Sequence, residues 1–419
     1  RRAKERGGKS WAVGAALGLV AAVLWWRTRG IHVVTNRATV RSPPELVLLV
    51  AAHDPGARQN VFHLTLKARE EGSRHVMWVD LREVSEESEG WAEALVERAA
   101  RAAEGDGRDT KRALRLVCVV GASAPEKGGP MEFAVMRAAR RAGFLTVQFI
   151  ENGLGQRLRG MGLEDEADRY LVTAPSTAQQ IEQRLELLPG RRRRPIAIRE
   201  VGSPHYENLK HSAGSLARMT VAQVRAHYGL KTSNAPPHLL PYFSPTVQLS
   251  EGMSQPAVLS LLERLLQALS SFPPGHHMLV VRPHPRTPPE ASSHQRRIVE
   301  SHPERAIYDD SDAVDNASLI RAASAAISFG SGSTIESIVL GTPSAFWQEG
   351  WPESSAFLDR AYGWVGSEVE RLPAPAELRD WLGRALGGPR ERARLLSIDA
   401  LAGTEGALDR AWIALTEKE

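Results

Sequence analysis

Between residues 45 and 202, apolar-rich runs alternate with stretches of helical period. The runs are 45–52, 75–80, 113–120, 144–150, 168–174 and 196–202, and between most of them lie 58–71, 90–103, 129–142 and 176–187. A strand that is apolar throughout, with no polar face, is buried on both sides. Regular alternation of such strands with helices predicts a parallel sheet covered by helices on both faces. Residues 205–240 break the rhythm, with a helical stretch near 213–228 followed by Ser233-Asn234-Ala235-Pro236-Pro237. Alternation then restarts, with strands at 240–249, 277–283, 305–309, 325–329 and 343–347 and helices at 256–271, 291–301, 315–323 and 333–340; 388–418 reads as helix again. The predicted fold class is α/β, with two doubly wound domains facing each other across a cleft. The expected divisions are a basic segment 1–41, a first domain 42–205, a linker 206–240, a second domain 241–385 and a C-terminal helical segment 386–419.

The first segment is different in kind. Residues 11–26 carry no charge, begin at Trp11 and end at Trp25-Trp26, and are flanked on both sides by Lys and Arg. At 1.5 Å per residue the run spans about 24 Å, somewhat short of a hydrocarbon core of about 30 Å, and its flanking Trp residues suit membrane interfaces. It is expected to anchor the protein at a membrane. A secretory signal is the competing reading, but no small-x-small cleavage pattern follows the tryptophans. Residues 1–41 hold nine Lys/Arg and one acid, so the remaining chain has a net charge of −4 although the whole is +4. That balance argues against nucleic acid as a partner of the main body. With 42% hydrophobic and 24% charged residues the chain reads as globular rather than disordered. Its single cysteine, Cys118, stands in an apolar run and forms neither an internal disulfide nor a thiolate zinc cluster, which favours a cytosolic main body.

Candidate chemistry gathers in loops that follow strands, where open α/β sheets bind ligands. Two loops of the second domain stand out: Arg282-Pro283-His284-Pro285-Arg286, and Gly330-Ser331-Gly332-Ser333-Thr334-Ile335-Glu336 at the start of a helix. Hydroxyls, backbone N–H groups and the positive end of a helix dipole together suit phosphate. Either loop alone is equally an ordinary strand-to-helix turn; the pair points to a nucleotide-phosphate site. Ser244, after Tyr242-Phe243, adds a hydroxyl, and Glu336 either reaches ribose hydroxyls or simply complements the dipole. In the first domain His53 and Gly56 follow the first strand, Glu151-Asn152-Gly153 the fourth, and Gly202-Ser203-Pro204 the sixth. A carboxylate at a strand end is placed to act as a general base, although Glu151-Asn152 is also readable as a plain turn. No metal or cofactor is expected. Asp310-Ser311-Asp312 reads as a turn, His276-His277 as surface, and no GxSxG elbow or Walker lysine loop is present. Arg191–Arg194 reads as a solvated loop.

Taken together these segments resemble the GT-B glycosyltransferases over about residues 45–385, with two Rossmann-like domains. They are most similar to bacterial sialyltransferases and polysialyltransferases, capsule Kdo transferases and CDP-glycerol glycerophosphotransferases. Three motifs carry the resemblance: an acid–acid–Gly motif matched by Glu151-Asn152-Gly153, a His-Pro motif matched by His284-Pro285, and a Ser-Ser/Thr motif matched by Ser333-Thr334. Asn152 departs from it, replacing a second acid. The resemblance implies an inverting, metal-independent transferase with Glu151 and His284 as catalytic residues. Its donor would be a CMP- or CDP-linked nucleotide-sugar, held by Arg282, Pro285, Ser244, Ser331, Gly332, Ser333, Thr334 and Glu336. The acceptor side would comprise His53, Gly56, Asn152, Gly153 and Ser203. A glycan or lipid-linked acceptor, a role in surface or capsular polysaccharide synthesis and a place on the cytoplasmic face of a bacterial inner membrane follow from it. Val201-Gly202-Ser203-Pro204 also looks like the Gly-x-Pro of hydrolysing UDP-GlcNAc 2-epimerases, so an epimerase-like enzyme or a UDP-sugar transferase is the alternative. A non-catalytic GT-B binding module is a third reading.

Overall fold

The computed structural model describes residues 31–34, 46–53, 55–84, 90–104, 115–123, 129–151, 167–187, 197–230, 237–245, 254–285, 287–349, 358, 368–397 and 399–417. Residues 11–26, expected to anchor the chain, lie outside this set. Among the described residues no helix is long and apolar enough to cross a membrane.

Two sheets organise the molecule. The first contains β1 (Ile31–Val34), β2 (Leu46–Ala52), β3 (His75–Asp80), β4 (Arg115–Val120), β5 (Leu145–Ile150), β6 (Arg169–Val172) and β7 (Ala197–Glu200), in the order β1-β3-β2-β4-β5-β6-β7. All its pairings are parallel except that of β1, which runs antiparallel on the edge beside β3. Every residue of β2 is buried, the condition that its unbroken apolar run anticipates. Alternate residues enter two separate cores. Val47, Leu49 and Ala51 pack under helices Trp91–Glu104 and Gly129–Arg141, while Leu48, Val50 and Ala52 pack under helix Pro55–Glu70.

The second sheet contains β8 (His238–Phe243), β9 (His277–Arg282), β10 (Ala306–Tyr308), β11 (Ala326–Ser328), β12 (Ser344–Trp347) and β13 (Arg371–Leu372), all parallel, in the order β10-β9-β8-β11-β12-β13. The chain winds outward from β8 to β10, then returns to lay β11 on the other side of β8. The order reverses between β8 and β11, so the loops leaving these two strands diverge and open a crevice at the C-terminal edge of the sheet. One face is filled by helices Gln255–Leu269 and Pro375–Ala385, the other by Val221–His227 and Asn316–Ala322. The helical stretch expected near 213–228 is therefore two short helices, Ala213–Leu216 and Val221–His227, preceded by a third, Pro204–His211, and Val221–His227 belongs to the second domain's core.

The final helix, Ala407–Thr416, returns to the first domain, where Ala411, Ala414 and Leu415 join the core of β2 and β4. Charged side chains of that domain hold both its ends. Glu207 accepts from the backbone N–H groups of Gly406 (2.7 Å) and Leu408 (2.8 Å). Arg169 donates to the carbonyl of Ala414, and Arg115 to those of Thr416 and Glu417. An acid at the N-terminus and cations at the C-terminus match the helix dipole. The same return brings Gly403 against Gly202, whose φ is +78°. A Cβ there would lie 2.1 Å from the Gly403 carbonyl oxygen, so only glycine fits.

Candidate functional site

A cavity of about 700 Å³ opens at the C-terminal edge of the second sheet. Its wall draws on the loops after four strands: Phe243 and Ser244 after β8, Arg282 to Pro285 after β9, Asp309 to Asp312 after β10, and Ser331 and Ser333 after β11. This is the switch-point crevice described above. Of the residues expected from sequence to hold a nucleotide, the structure brings Ser244, Arg282, His284, Pro285, Ser331 and Ser333 to one cavity.

Many of their polar groups already have partners within the protein. Arg282 lies 3.5 Å from Asp309 and donates to the carbonyl oxygens of Ser311 (2.9 Å) and Val314. It thus ties down the loop after β10. Asp309 is buried, which raises its carboxyl pKa. Hydrogen bonds from Ser311 and Tyr228 and the nearby Arg282 outweigh that effect and hold it below the usual carboxylate range. Ser244 is buried, and its hydroxyl accepts from Gln295 Nε2 at 2.8 Å. The N–H of Ser333 donates to Ser331 Oγ at 3.2 Å. The Ser333 hydroxyl itself has no partner among the described residues.

Other expected donor residues lie elsewhere. Thr334 is fully buried, and its hydroxyl pairs with that of Ser328, the last residue of β11. It faces the sheet rather than the cavity, because the first turn of helix Ser333–Val339 turns Ser333 outward and Thr334 inward. Gly332 is the residue before that helix, with an ordinary φ of −55° and open space where a Cβ would stand, so nothing here requires glycine. Glu336 points across the domain boundary, with Oε1 3.5 Å from Nε2 of His205.

The expected acceptor residues have structural partners. Ser203 is buried. Its hydroxyl donates to Asn60 Oδ1 at 2.9 Å and accepts from the N–H of Tyr206, capping helix Pro204–His211. Gly56 stands in the first turn of helix Pro55–Glu70 rather than in an open loop. His53 donates its backbone N–H to Glu132 Oε1 at 3.1 Å. Glu151 is 6% exposed at the end of β5, and its carbonyl accepts from Thr173 Oγ1. It does not line the cavity, and Asn152 and Gly153 lie outside the described residues. Arg286 and Arg191–Arg194 do so too.

Asp310-Ser311-Asp312, expected as a loop, is an exposed loop that forms part of the cavity wall, with Asp310 paired to Arg296 at 2.6 Å. One sequence reading needs correcting. His277, expected at the surface, is buried in β9 opposite His238. Burial, followed by the neighbouring His276, His238 and Arg305, lowers its pKa to about 4. His63 is lowered likewise to about 4, by burial and then by His205. Among the described residues no group of three or more His, Cys, Asp or Glu is arranged to hold a metal ion. Sequence reasoning missed several residues of the wall, among them Asp309, Asp315, Asn316 and, in the stretch joining the two domains, Arg218.

No protein-family model and no curated protein matches the chain. Solved structures do. The UDP-GlcNAc 2-epimerase of Neisseria meningitidis bound to UDP-GlcNAc superposes with a TM-score of 0.56 at 13% identity, covering 89% of this chain and 100% of that one. The UDP-GlcNAc 2-epimerase of Methanocaldococcus jannaschii gives 0.56 at 11%, covering 88% and 99%. MnaA of S. aureus with UDP gives 0.56 at 12%, covering 90% and 99%. At these identities the likeness is one of fold, and it does not extend to the sialyltransferase, Kdo-transferase or CDP-glycerol families in particular. Two parallel six-stranded arrays, wound in this order and closed by a returning C-terminal helix, give the chain the GT-B fold.

Proposed function

We propose that this protein is an enzyme acting on a nucleotide-sugar, and that it belongs functionally with the acceptor-independent, 2-epimerase type rather than with the transferases. The observation that carries the reading is the cavity at the β8/β11 switch point of a GT-B fold, lined by His284, Ser331 and Ser333 and large enough for a nucleotide. The choice between the two types is supported by the solved structures that share the fold over nearly their whole length, two of which are UDP-GlcNAc 2-epimerases. Glu151, buried at the edge of the first sheet, is the acid–base candidate from the opposite domain.

Inversion at C2 of a sugar requires that the C2 proton leave from one face and a proton return to the other. The test is incubation of the full chain with UDP-GlcNAc in deuterated water, without any acceptor. The expected result is a product inverted at C2 and carrying deuterium there. Consumption of the nucleotide-sugar only when a glycan or lipid acceptor is added would move the protein to the transferases. Absence of turnover under both conditions would leave the binding-module reading.

A further inference from the structure

Most of the charged side chains lining the cavity are engaged within the protein. Arg282 is held by Asp309 and two loop carbonyls, Asp310 by Arg296, and Asp309 by Tyr228 and Ser311. Asp315 accepts from the N–H and hydroxyl of Ser318, capping helix Asn316–Ala322. Two charged side chains of the wall have no partner among the described residues, the cation Arg218 and the acid Asp312. Only the first can attract an anion.

Arg218 is brought to the wall by its backbone. Its N–H donates to Asp315 Oδ2 at 3.1 Å, and the next N–H, of Met219, donates to Ser318 Oγ at 3.0 Å. Two consecutive hydrogen bonds therefore fasten this piece of linker to the start of helix Asn316–Ala322, while the side chain is exposed and without a partner among the described residues. A planar guanidinium with five N–H donors matches phosphate oxygens in pairs and remains charged at any working pH. Several of the groups that sequence would assign to the phosphates are occupied: the Ser333 N–H by Ser331, the Thr334 hydroxyl by Ser328, and the Arg282 guanidinium by Asp309, while the Ser333 hydroxyl adds a neutral donor but no charge.

We infer that Arg218 is the residue that binds the diphosphate of the ligand in this cavity. The inference rests on the nucleotide-sugar reading above and adds to it a residue from outside both sheets. Because Arg218 stands between helices Ala213–Leu216 and Val221–His227, it also couples the bound diphosphate to the connection between the domains.

Calorimetry on the full chain with UDP, inorganic pyrophosphate and uridine tests this. Arg218→Ala should weaken UDP and pyrophosphate at least tenfold and leave uridine unchanged, while Arg218→Lys should recover part of the loss. The exposed Arg218 side chain has no partner among the described residues, so the melting temperature of both variants should equal that of the wild type. Equal UDP affinity in wild type and Arg218→Ala overturns the assignment alone. A wild-type chain that binds neither UDP nor, in the same calorimetry, CDP or GDP overturns the nucleotide reading on which it stands. An equal loss for uridine shows a general collapse of the cavity and overturns the phosphate role.

Discussion

At the C-terminal edge of the first sheet, buried carboxylates draw the loops together. Glu132, 1% exposed, accepts from the N–H (2.6 Å) and hydroxyl (2.7 Å) of Ser123 after β4 and from the N–H of His53 after β2. Asp80, at the end of β3, pairs with Arg58 at 2.9 Å and with Arg82 at 2.8 Å. At the same edge of the second sheet the loops stand apart around a cavity of about 700 Å³. The windings are alike and so is the way the strands are buried. What differs, among the described residues, is what the side chains hold: in the first sheet a buried carboxylate ties one strand-end loop to another, whereas in the second Arg282 and Asp309 order the loop after β10 and the loops line a cavity.

The comparison breaks most sharply at Glu132. Replacing it with Ala removes the acceptor of a buried N–H, a buried hydroxyl and a half-buried N–H, and should destabilise the protein by about 2–4 kcal/mol. The midpoint of urea unfolding should fall accordingly. Because the contact belongs to the first sheet alone, UDP affinity measured where the variant is still folded should stay at the wild-type value. A midpoint unchanged from the wild type would mean that the first edge is not held together by its acid.

Acid should strike both domains in one pH window. His63, on helix Pro55–Glu70, and His277, in β9, each have a folded-state pKa of about 4 against an unfolded value near 6.5. A depressed histidine pKa means that the unfolded chain takes up the proton first. Its contribution to stability is therefore complete above pH 6.5 and is lost as the pH falls toward 4. For His277, 5% exposed, the loss approaches about 3 kcal/mol over that range, at roughly 1.4 kcal/mol per pH unit. Unfolding midpoints at pH 7 and pH 5 should show it. In His277→Leu the pH dependence should shrink to the part carried by His63 and by His238, whose pKa burial also lowers. A dependence of undiminished size would place the acid sensitivity elsewhere.

Much of this architecture was legible in the chain. Residues such as Leu46–Ala52 and His277–Arg282 announce themselves because parallel strands buried on both faces are apolar almost throughout. The strands that escaped are edge strands. Ile31–Val34 lies inside a basic segment, and Arg371–Leu372 has only two residues. The place of helix Ala407–Thr416 depends on contacts with Arg115, Arg169 and Glu207, hundreds of residues away, which no local pattern encodes. Ser203 is a different case: a Ser followed by Pro at a helix start is a capping signal, and the local rule reads it correctly where the search for cleft residues did not. Arg218 gave no signal, since a single arginine in a linker reads as solvated until the fold brings Asp315 and Ser318 beside it.

The smallest expected effect separates two neighbours that sequence treats as one motif. Ser333 lines the cavity with a hydroxyl that has no partner among the described residues, whereas the Thr334 hydroxyl is buried against Ser328. Thr334→Val keeps the shape but leaves the Ser328 hydroxyl unpaired in the core, so it should lower stability by about 1 kcal/mol and leave UDP affinity alone. Ser333→Ala should do the reverse, with an unchanged melting temperature and an affinity lower by about 0.5–1.5 kcal/mol, the worth of one hydrogen bond to the ligand. If Thr334→Val weakens UDP as much as Ser333→Ala does, then the hydroxyl now facing Ser328 turns toward the ligand on binding. The inner wall of the cavity would then rearrange with its ligand, in contrast to the first edge, where Glu132 ties the described loop ends after β2 and β4 to its helix.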